Sequence, residues 1–283
     1  MLTQIYMLHD PDELTPEIAE TVRNSDILFL EFAGNNIEQR RRQEKIWNEV
    51  SRGETSVSEL RPDPDNMYTE QSRKILSIIY KTKIKVYLER CRIDSGGYKP
   101  DITSMMDYFH ENKVNEALRH FKRWCEISNE LNIARDDDIS HFLINLEQSN
   151  YNKISSSILG PAHTSVYHIV KRSGVNTRLM LPQRPYVVPM STEIDRRYRF
   201  SKPVPEIMGL RLMASLDIAR HFEISPSMRV LEKIRKSDEI AIQLSEEDIR
   251  DLSLFVSQNW WKDLPYEILQ ETVSDWLKDK KLV

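Results

Sequence analysis

The chain reads as an α/β protein, a central, mostly parallel sheet flanked by helices with a helical appendage at its C-terminal end. Three observations predict this. Short apolar runs at residues 2–8, 26–30, 84–88, around Ile158-Leu159, and 176–181 alternate with longer segments of helical periodicity. The connections between successive runs are long enough for crossovers, as parallel pairing requires. From Pro205 onward the apolar spacing is helical alone. The expected division is a core over 1–190 and a helical region over 191–283.

Composition bounds the answer before any element is assigned. Of 283 residues, 40% are hydrophobic and 30% charged, which suits a core with a solvated surface. A formal net charge of -4 gives no electrostatic reason to expect nucleic acid as the main partner. No apolar run approaches the roughly 18–20 residues that span a bilayer, so no membrane partner is expected. Met1-Leu2-Thr3-Gln4 lacks a basic region followed by a long apolar stretch, so no secretory signal is expected. Cys91 and Cys125 fit no metal or redox spacing, and a cytoplasmic setting with both thiols free is expected. Seven glycines form no phosphate-binding loop or dinucleotide fingerprint.

Taken in order, residues 2–8 form a first strand ended by His9 and broken by Asp10-Pro11-Asp12. Thr15-Pro16-Glu17 opens a helix with an N-cap, a first-position proline and an early acid. The second strand ends at Leu30, with Glu31 next. Residues 35–52 are polar and helix-prone, and Arg40-Arg41-Arg42 reads as a solvated face. After a loop at Arg61-Pro62-Asp63-Pro64-Asp65, residues 69–81 form an amphipathic helix with Ile75, Ile78 and Ile79 on one side. The strand 84–88 runs directly into Glu89, and Asp94 to Pro100 is a loop.

Residues 101 to about 131 are expected to be helical, with Met105, Met106, Phe109, Val114, Leu118, Phe121 and Trp124 as the packing stripe. Packing or surface roles are expected for His110 and His120. A break near Asn132 is expected to precede a new helix beginning at Ala134-Arg135-Asp136-Asp137-Asp138, whose acids suit a helix N-terminus. Arg135 does not suit one, so an anionic partner is expected for it. The run centred on Ile158 and Leu159 then ends at Gly160. His163 follows, and the helix from Val166 to Arg172 is closed by Gly174. Beyond a strand at 176–181 and an irregular connector, helices are expected at 207–222, from Ser225-Pro226 to Lys236, after the capping box at Ser245 to Asp248, and from Pro265 to Lys280.

Four ionisable residues thus follow strand ends: His9, Glu31, Glu89 and His163. In open α/β sheets the carboxyl edge is where ligands bind. Arg135 is expected at the same edge. Two chemistries suit the set. His9, Glu31 and His163 as ligands of a divalent metal (Mn, Co or Zn) would acidify a bound water. Without metal, a histidine would act as general base beside a carboxylate, with Arg135 clamping an anion or orienting a carboxylate. His168, one turn beyond His163, is weighed as a second ligand against packing or solvent, and Cys91 is read as a buried thiol.

The same residues carry a resemblance. Ile5-Tyr6-Met7-Leu8-His9, Leu28-Phe29-Leu30-Glu31, Ala134-Arg135 and Gly160-Pro161-Ala162-His163 resemble the strand-end His, strand-end Glu, helix Arg and Gly-x-x-His pattern of the TraB pheromone-shutdown superfamily. That group includes Tiki metalloproteases, erythromycin esterases and ChaN-like haem-binding lipoproteins. Val86-Tyr87-Leu88-Glu89 is similar to a further strand-end glutamate in several members. The likeness spans about residues 1–181, and Tyr6 departs from the first-motif glycine. It implies a split α/β fold and, in the enzymatic branches, hydrolysis of a peptide or ester. The expected activity is therefore a hydrolase acting on a small-molecule or peptide substrate. The alternative is a non-catalytic ligand-binding or signalling module using the same pocket. Its helical tail, with Trp260-Trp261, would then serve a protein partner or self-association. Arg196-Arg197-Tyr198-Arg199 lends slight support to nucleic-acid binding, and a solvated turn explains that run equally well.

Overall fold

The computed structural model describes residues 1–8, 11–31, 37–60, 70–89, 102–182, 189–223, 230–259 and 266–282. His9, Cys91, the loops 61–65 and 94–100, Ser225-Pro226 and Trp260-Trp261 lie outside the described residues. The chain divides into two compact units. Unit 1 takes Met1–Gly97 and Leu131–Val188, and unit 2 takes Tyr98–Glu130 and Pro189–Val283.

Among the described residues, unit 1 is built on five strands, β1 (Leu2–Tyr6), β2 (Ile27–Leu30), β3 (Lys85–Leu88), β4 (Ser155–Leu159) and β5 (Thr177–Met180), in the order β3-β2-β4-β1-β5. Every pairing is parallel, with Leu30 opposite both Leu88 and Ile158, and Tyr6 opposite Leu159. All strand ends therefore point one way. The period-two alternation of side chains divides the sheet's apolar residues between two cores. Ile5, Leu28, Leu30, Val86 and Ile158 pack with α1 (Pro16–Arg23), α2 (Ile37–Arg52) and α3 (Glu70–Ile79) through Val22, Trp47, Ile75 and Leu76. Leu2, Tyr6, Phe29 and Leu159 form the other core with Ile139 and Leu143 of α5 (Val114–Ser149) and Val166 and Val170 of α6 (Thr164–Arg172). Each fully buried side chain of this size contributes about 1.5–3 kcal/mol of transfer free energy.

Local chemistry sets the ends of these elements. Thr15 caps α1 by accepting from Ile18 N–H, with Pro16 at the first helical position. Gly174, at φ +85°, follows α6 where only a left-handed residue turns the chain without strain. The edge strand β3 is sealed by one face of α2. Asn48 Nδ2 donates to the Val86 carbonyl (2.9 Å) and its Oδ1 accepts from Val86 N–H (3.0 Å), Glu44 accepts from Leu88 N–H (3.0 Å), and Ser51 donates to the Ile84 carbonyl (2.7 Å). Residues spaced four and three apart share a helix face, so three polar side chains take the place of a sixth strand.

Three expectations are corrected. The helix expected over 101 to about 131 is broken at 111–113, where α4 (Ile102–His110) gives way to α5. The first strand stops at Tyr6 rather than at residue 8. No break occurs near Asn132, because α5 runs without interruption over 36 residues. Asn and Asp cost only tenths of a kcal/mol each inside a helix. The apolar spacing on the buried face, Ile139 to Leu143 to Leu146, outweighs that. Arg135 and Asp136 are consequently mid-helix residues. The strand expected at 176–181 is β5, and the helix from Val166 begins two residues earlier, at Thr164.

Unit 2 is helical. It contains α4 (Ile102–His110), the first half of α5, α7 (Met190–Arg199), α8 (Glu206–Glu223), α9 (Val230–Gln243), α10 (Glu246–Asn259) and α11 (Tyr266–Asp279). Its core gathers the anticipated stripe, Met105 through Trp124, with Leu210, Met213, Ile218, Leu252 and Trp276. His110 and Asp217 are bonded inside it at 2.8 Å, and His120 packs on the Tyr108 ring. Ser245 and Asp248 form the expected capping box of α10, with Asp248 N–H donating to Ser245 Oγ and Ser245 N–H to Asp248, both at 3.1 Å. Cys125 is a buried free thiol, pushed up to about 12 by burial and the nearby Asp195 and Glu126. Among the described residues, no helix is long and apolar enough to cross a membrane.

Candidate functional site

Four of the five residues expected to converge do so, at the carboxyl edge of the unit 1 sheet. The fifth, His9, lies outside the described residues. Its neighbour Leu8 is fixed two residues beyond β1, where its N–H donates to buried Glu13 (2.5 Å) and its carbonyl accepts from Gln71 (2.8 Å).

The ladder itself delivers the two glutamates. Glu31 N–H extends the β2–β4 pairing by donating to Ile158 (3.0 Å), and Glu89 N–H extends β2–β3 by donating to Leu30 (2.9 Å). Both side chains therefore start from the same level of the sheet. Between them stands Arg135, brought in by α5. Its Nε donates to Glu89 Oε1 (2.9 Å) and its Nη2 to Glu89 Oε2 (2.8 Å), a two-point pairing suited to the planar guanidinium. Nη2 also reaches Glu31 Oε1 at 3.0 Å. The anionic partner that the sequence demanded for Arg135 is thus a pair of strand-end glutamates. Burial pulls the guanidinium's pKa down, and the Glu89 and Glu31 charges more than offset this, holding it charged. Arg40 adds a contact to the Glu89 carbonyl (3.4 Å), while Arg41 and Arg42 are exposed as expected.

The segment Gly160-Pro161-Ala162-His163 acts as a clasp on Glu31. Gly160 N–H donates to Glu31 Oε2 (2.5 Å), and three residues later His163 Nε2 meets Oε1 at 3.2 Å. A Cβ at position 160 would stand 2.9 Å from Glu31 Oε2, so glycine is what lets the backbone approach this closely. His163 is only 2% exposed and its Nδ1 bonds Asp136, whose second oxygen accepts from the Ser165 hydroxyl in the first turn of α6. Burial alone lowers the pKa of an imidazole. The charge of Glu31 and the hydrogen bonds of Asp136 and Glu31 outweigh it, raising His163 to about 9. At neutral pH it is an imidazolium.

The result is a row of alternating charges: Asp136, His163, Glu31, Arg135, Glu89. Asp136 is the residue that sequence reasoning missed. Its acidity suited the start of a helix, and it does serve one, but the helix is α6 rather than its own. The signal was available, since position 136 falls on the same face of α5 as Ile139 and Leu143. A carboxylate on a buried face needs a partner. His168 is exposed on α6 beside the Tyr167 ring.

His163 Nε2 and Glu31 Oε1 stand side by side, with Asp136 behind the imidazole as a metal-bound histidine would require. Glu31 Oε1 is, however, shared with a guanidinium. Among the described residues, no group of three or more His, Cys, Asp or Glu side chains is arranged to hold a metal ion. Glu31 and His163 are two of the three expected metal ligands, and the third, His9, lies outside the described residues.

Comparison of the chain with protein-family models, with curated proteins and with solved structures gave no match.

Proposed function

We propose that the carboxyl edge of the unit 1 sheet is a hydrolytic site for a peptide or ester bond. One observation carries the reading. A single carboxylate, Glu31, receives hydrogen bonds from three remote segments, the Arg135 guanidinium, the Gly160 amide and the His163 ring. Such convergence fixes charges in a buried place, which is what stabilisation of a developing oxyanion requires.

The charge state assigns roles. A protonated His163 does not act as a base at neutral pH; its Nε2 proton, which rests against Glu31 in the free protein, would have to turn from that carboxylate to a carbonyl oxygen as substrate enters. Asp136 holds the ring in place. Arg135, the most exposed member with 25% of its side chain accessible, meets the substrate's anionic or carbonyl oxygen, while Glu89 fixes its orientation. His9 is assigned the base that activates water, by its position in the sequence just beyond Leu8.

The test is a panel of peptide and ester substrates offered to the purified full chain, with and without chelator. Turnover that falls about 10²–10⁴-fold in His163→Asn is expected, the usual range for a lost acid–base group. No turnover across the panel, or full activity in that variant, removes the proposal. Activity abolished by chelator and restored by Mn, Co or Zn would replace the metal-free roles with metal ligation by His9, Glu31 and His163.

The completeness of the charge row favours a second reading, a ligand-binding or signalling module with no chemistry. A ligand that raises the unfolding temperature without being turned over would support it.

A further inference from the structure

The interface between α5 and β4 contains polar groups that the site does not use. Ser155, Ser156 and Ser157 make up most of the central strand and are all essentially inaccessible. Ser156 faces the other side and bonds Ser25 (2.7 Å). Ser155 and Ser157 share the face of Leu159, turned toward α5. Their hydroxyls are buried without a hydrogen-bond partner, and so are Ser140 Oγ and Glu147 Oε1 of α5 and Thr164 Oγ1 next to His163. Positions 136, 140 and 147 lie along one face of α5, four and then seven residues apart. The β1 neighbour of Ser157 is Gln4, also fully buried, whose Oε1 accepts from the Tyr6 hydroxyl at 2.9 Å. Tyr6 in turn lies near Asp136 and Glu31: burial raises its pKa, and both charges add to the rise.

A polar seam therefore runs the length of this apolar core. One end is Glu147, 8% exposed and paired with the N-terminal ammonium at 3.5 Å where β1 begins. The other end is Asp136, bonded to His163. Buried hydroxyls left dry destabilise a fold, and several together exceed what a marginally stable domain tolerates. Ser155 and Ser157 lie about 6–7 Å apart along the strand, a span that water bridges.

We infer that the α5–β4 interface holds a file of bound water leading from Glu147 at the strand starts to Asp136 at the strand ends. The file gives the buried end of the site its own route to solvent. Protons reach Asp136 and His163 from beneath even when a substrate covers the carboxyl edge. Serine, small and hydroxylated, leaves room for water that valine, the ordinary residue of a central strand, would fill.

The test uses the full chain and does not depend on substrate. A high-resolution crystal structure should show ordered water touching Ser140, Ser155 and Ser157. The ring proton of His163 that faces Asp136, followed by NMR, should exchange with solvent an order of magnitude more slowly in Ser157→Val. Should valine prevent folding, Ser155→Ala and Ser157→Ala decide. Each should lower the unfolding midpoint by stripping a partner from bound water. A raised midpoint, a dry seam, or unchanged exchange in the valine variant overturns the inference. Failure of the hydrolase reading shows instead as absent turnover with the water and the exchange intact.

Discussion

His163 in unit 1 and His110 in unit 2 are both almost wholly buried, 2% and 3% exposed, and both are bonded to an aspartate. Their surroundings differ in kind. His110 and Asp217 form a pair inside the apolar core of helices, with Arg220 3.8 Å from the same carboxylate. His163 stands where three parallel strands end, and its aspartate is only the first of three carboxylates alternating with two cations. A helix interior supplies side chains alone. A sheet edge adds main-chain amides with no further strand to bond, such as that of Gly160, and so concentrates directed charge. Burial and an aspartate are common to both histidines; at His163 a backbone amide, that of Gly160, converges on the same row as well.

Cutting the row at its cation should have the largest effect. Arg135→Met leaves Glu31 and Glu89 buried without their guanidinium, and unit 1 should lose about 3–5 kcal/mol in denaturant unfolding, the usual result of breaking one side of a buried pair. A loss under about 1 kcal/mol, the scale of a surface pair, would make the row no more than a superficial contact.

Next comes pH. The folded pKa of His163, about 9, exceeds an unfolded value near 6.5. Its contribution to stability is full below pH 6.5 and is lost as pH rises through about 9. The total is on the order of 3 kcal/mol. Hydrogen exchange of the β4 amides, followed from pH 6 to pH 10, should show unit 1 loosening over that window. Protection that stays flat would mean the imidazole is neutral in the fold.

The helical pair should behave otherwise. His110→Leu with Asp217→Leu replaces the whole pair by apolar volume, which is commonly neutral or stabilising by about 1–4 kcal/mol. Unit 2 should unfold no more easily, and any hydrolysis in unit 1 should continue. A destabilised double variant would give the pair a structural importance that the comparison denies it. The smallest effect is expected at the α10 cap, where Ser245→Ala should cost unit 2 about 1 kcal/mol and leave the β4 amides of unit 1 unaffected.

Most of what was legible in the sequence came from strand ends. A run such as Ile27-Leu28-Phe29-Leu30 followed by an acid states both the strand and the direction in which it delivers its charge. Glu31, Glu89 and His163 were legible for that reason, as was the need of Arg135 for an anion. Three features were hidden. Ser155 to Ser157 do not look like a central strand, because polarity masks a position fixed by neighbours on both sides. The continuity of α5 past Asn132 is decided by packing on its buried face, which weak local preferences do not report. Asp136 was obscured by two further aspartates, exposed Asp137 and half-buried Asp138, which dilute the oddity of one acid on an apolar stripe.

The polar face of α2 has a consequence beyond the site. Parallel sheets grow by accepting another polypeptide along an open margin, and the same margins seed unwanted association. At β3 the Val86 amide and carbonyl, the Leu88 amide and the Ile84 carbonyl are already answered by Asn48, Glu44 and Ser51. That flank is shut to strand donation, whether from a second copy or from a stray peptide, and Glu89 at its end is kept apart from any such intruder.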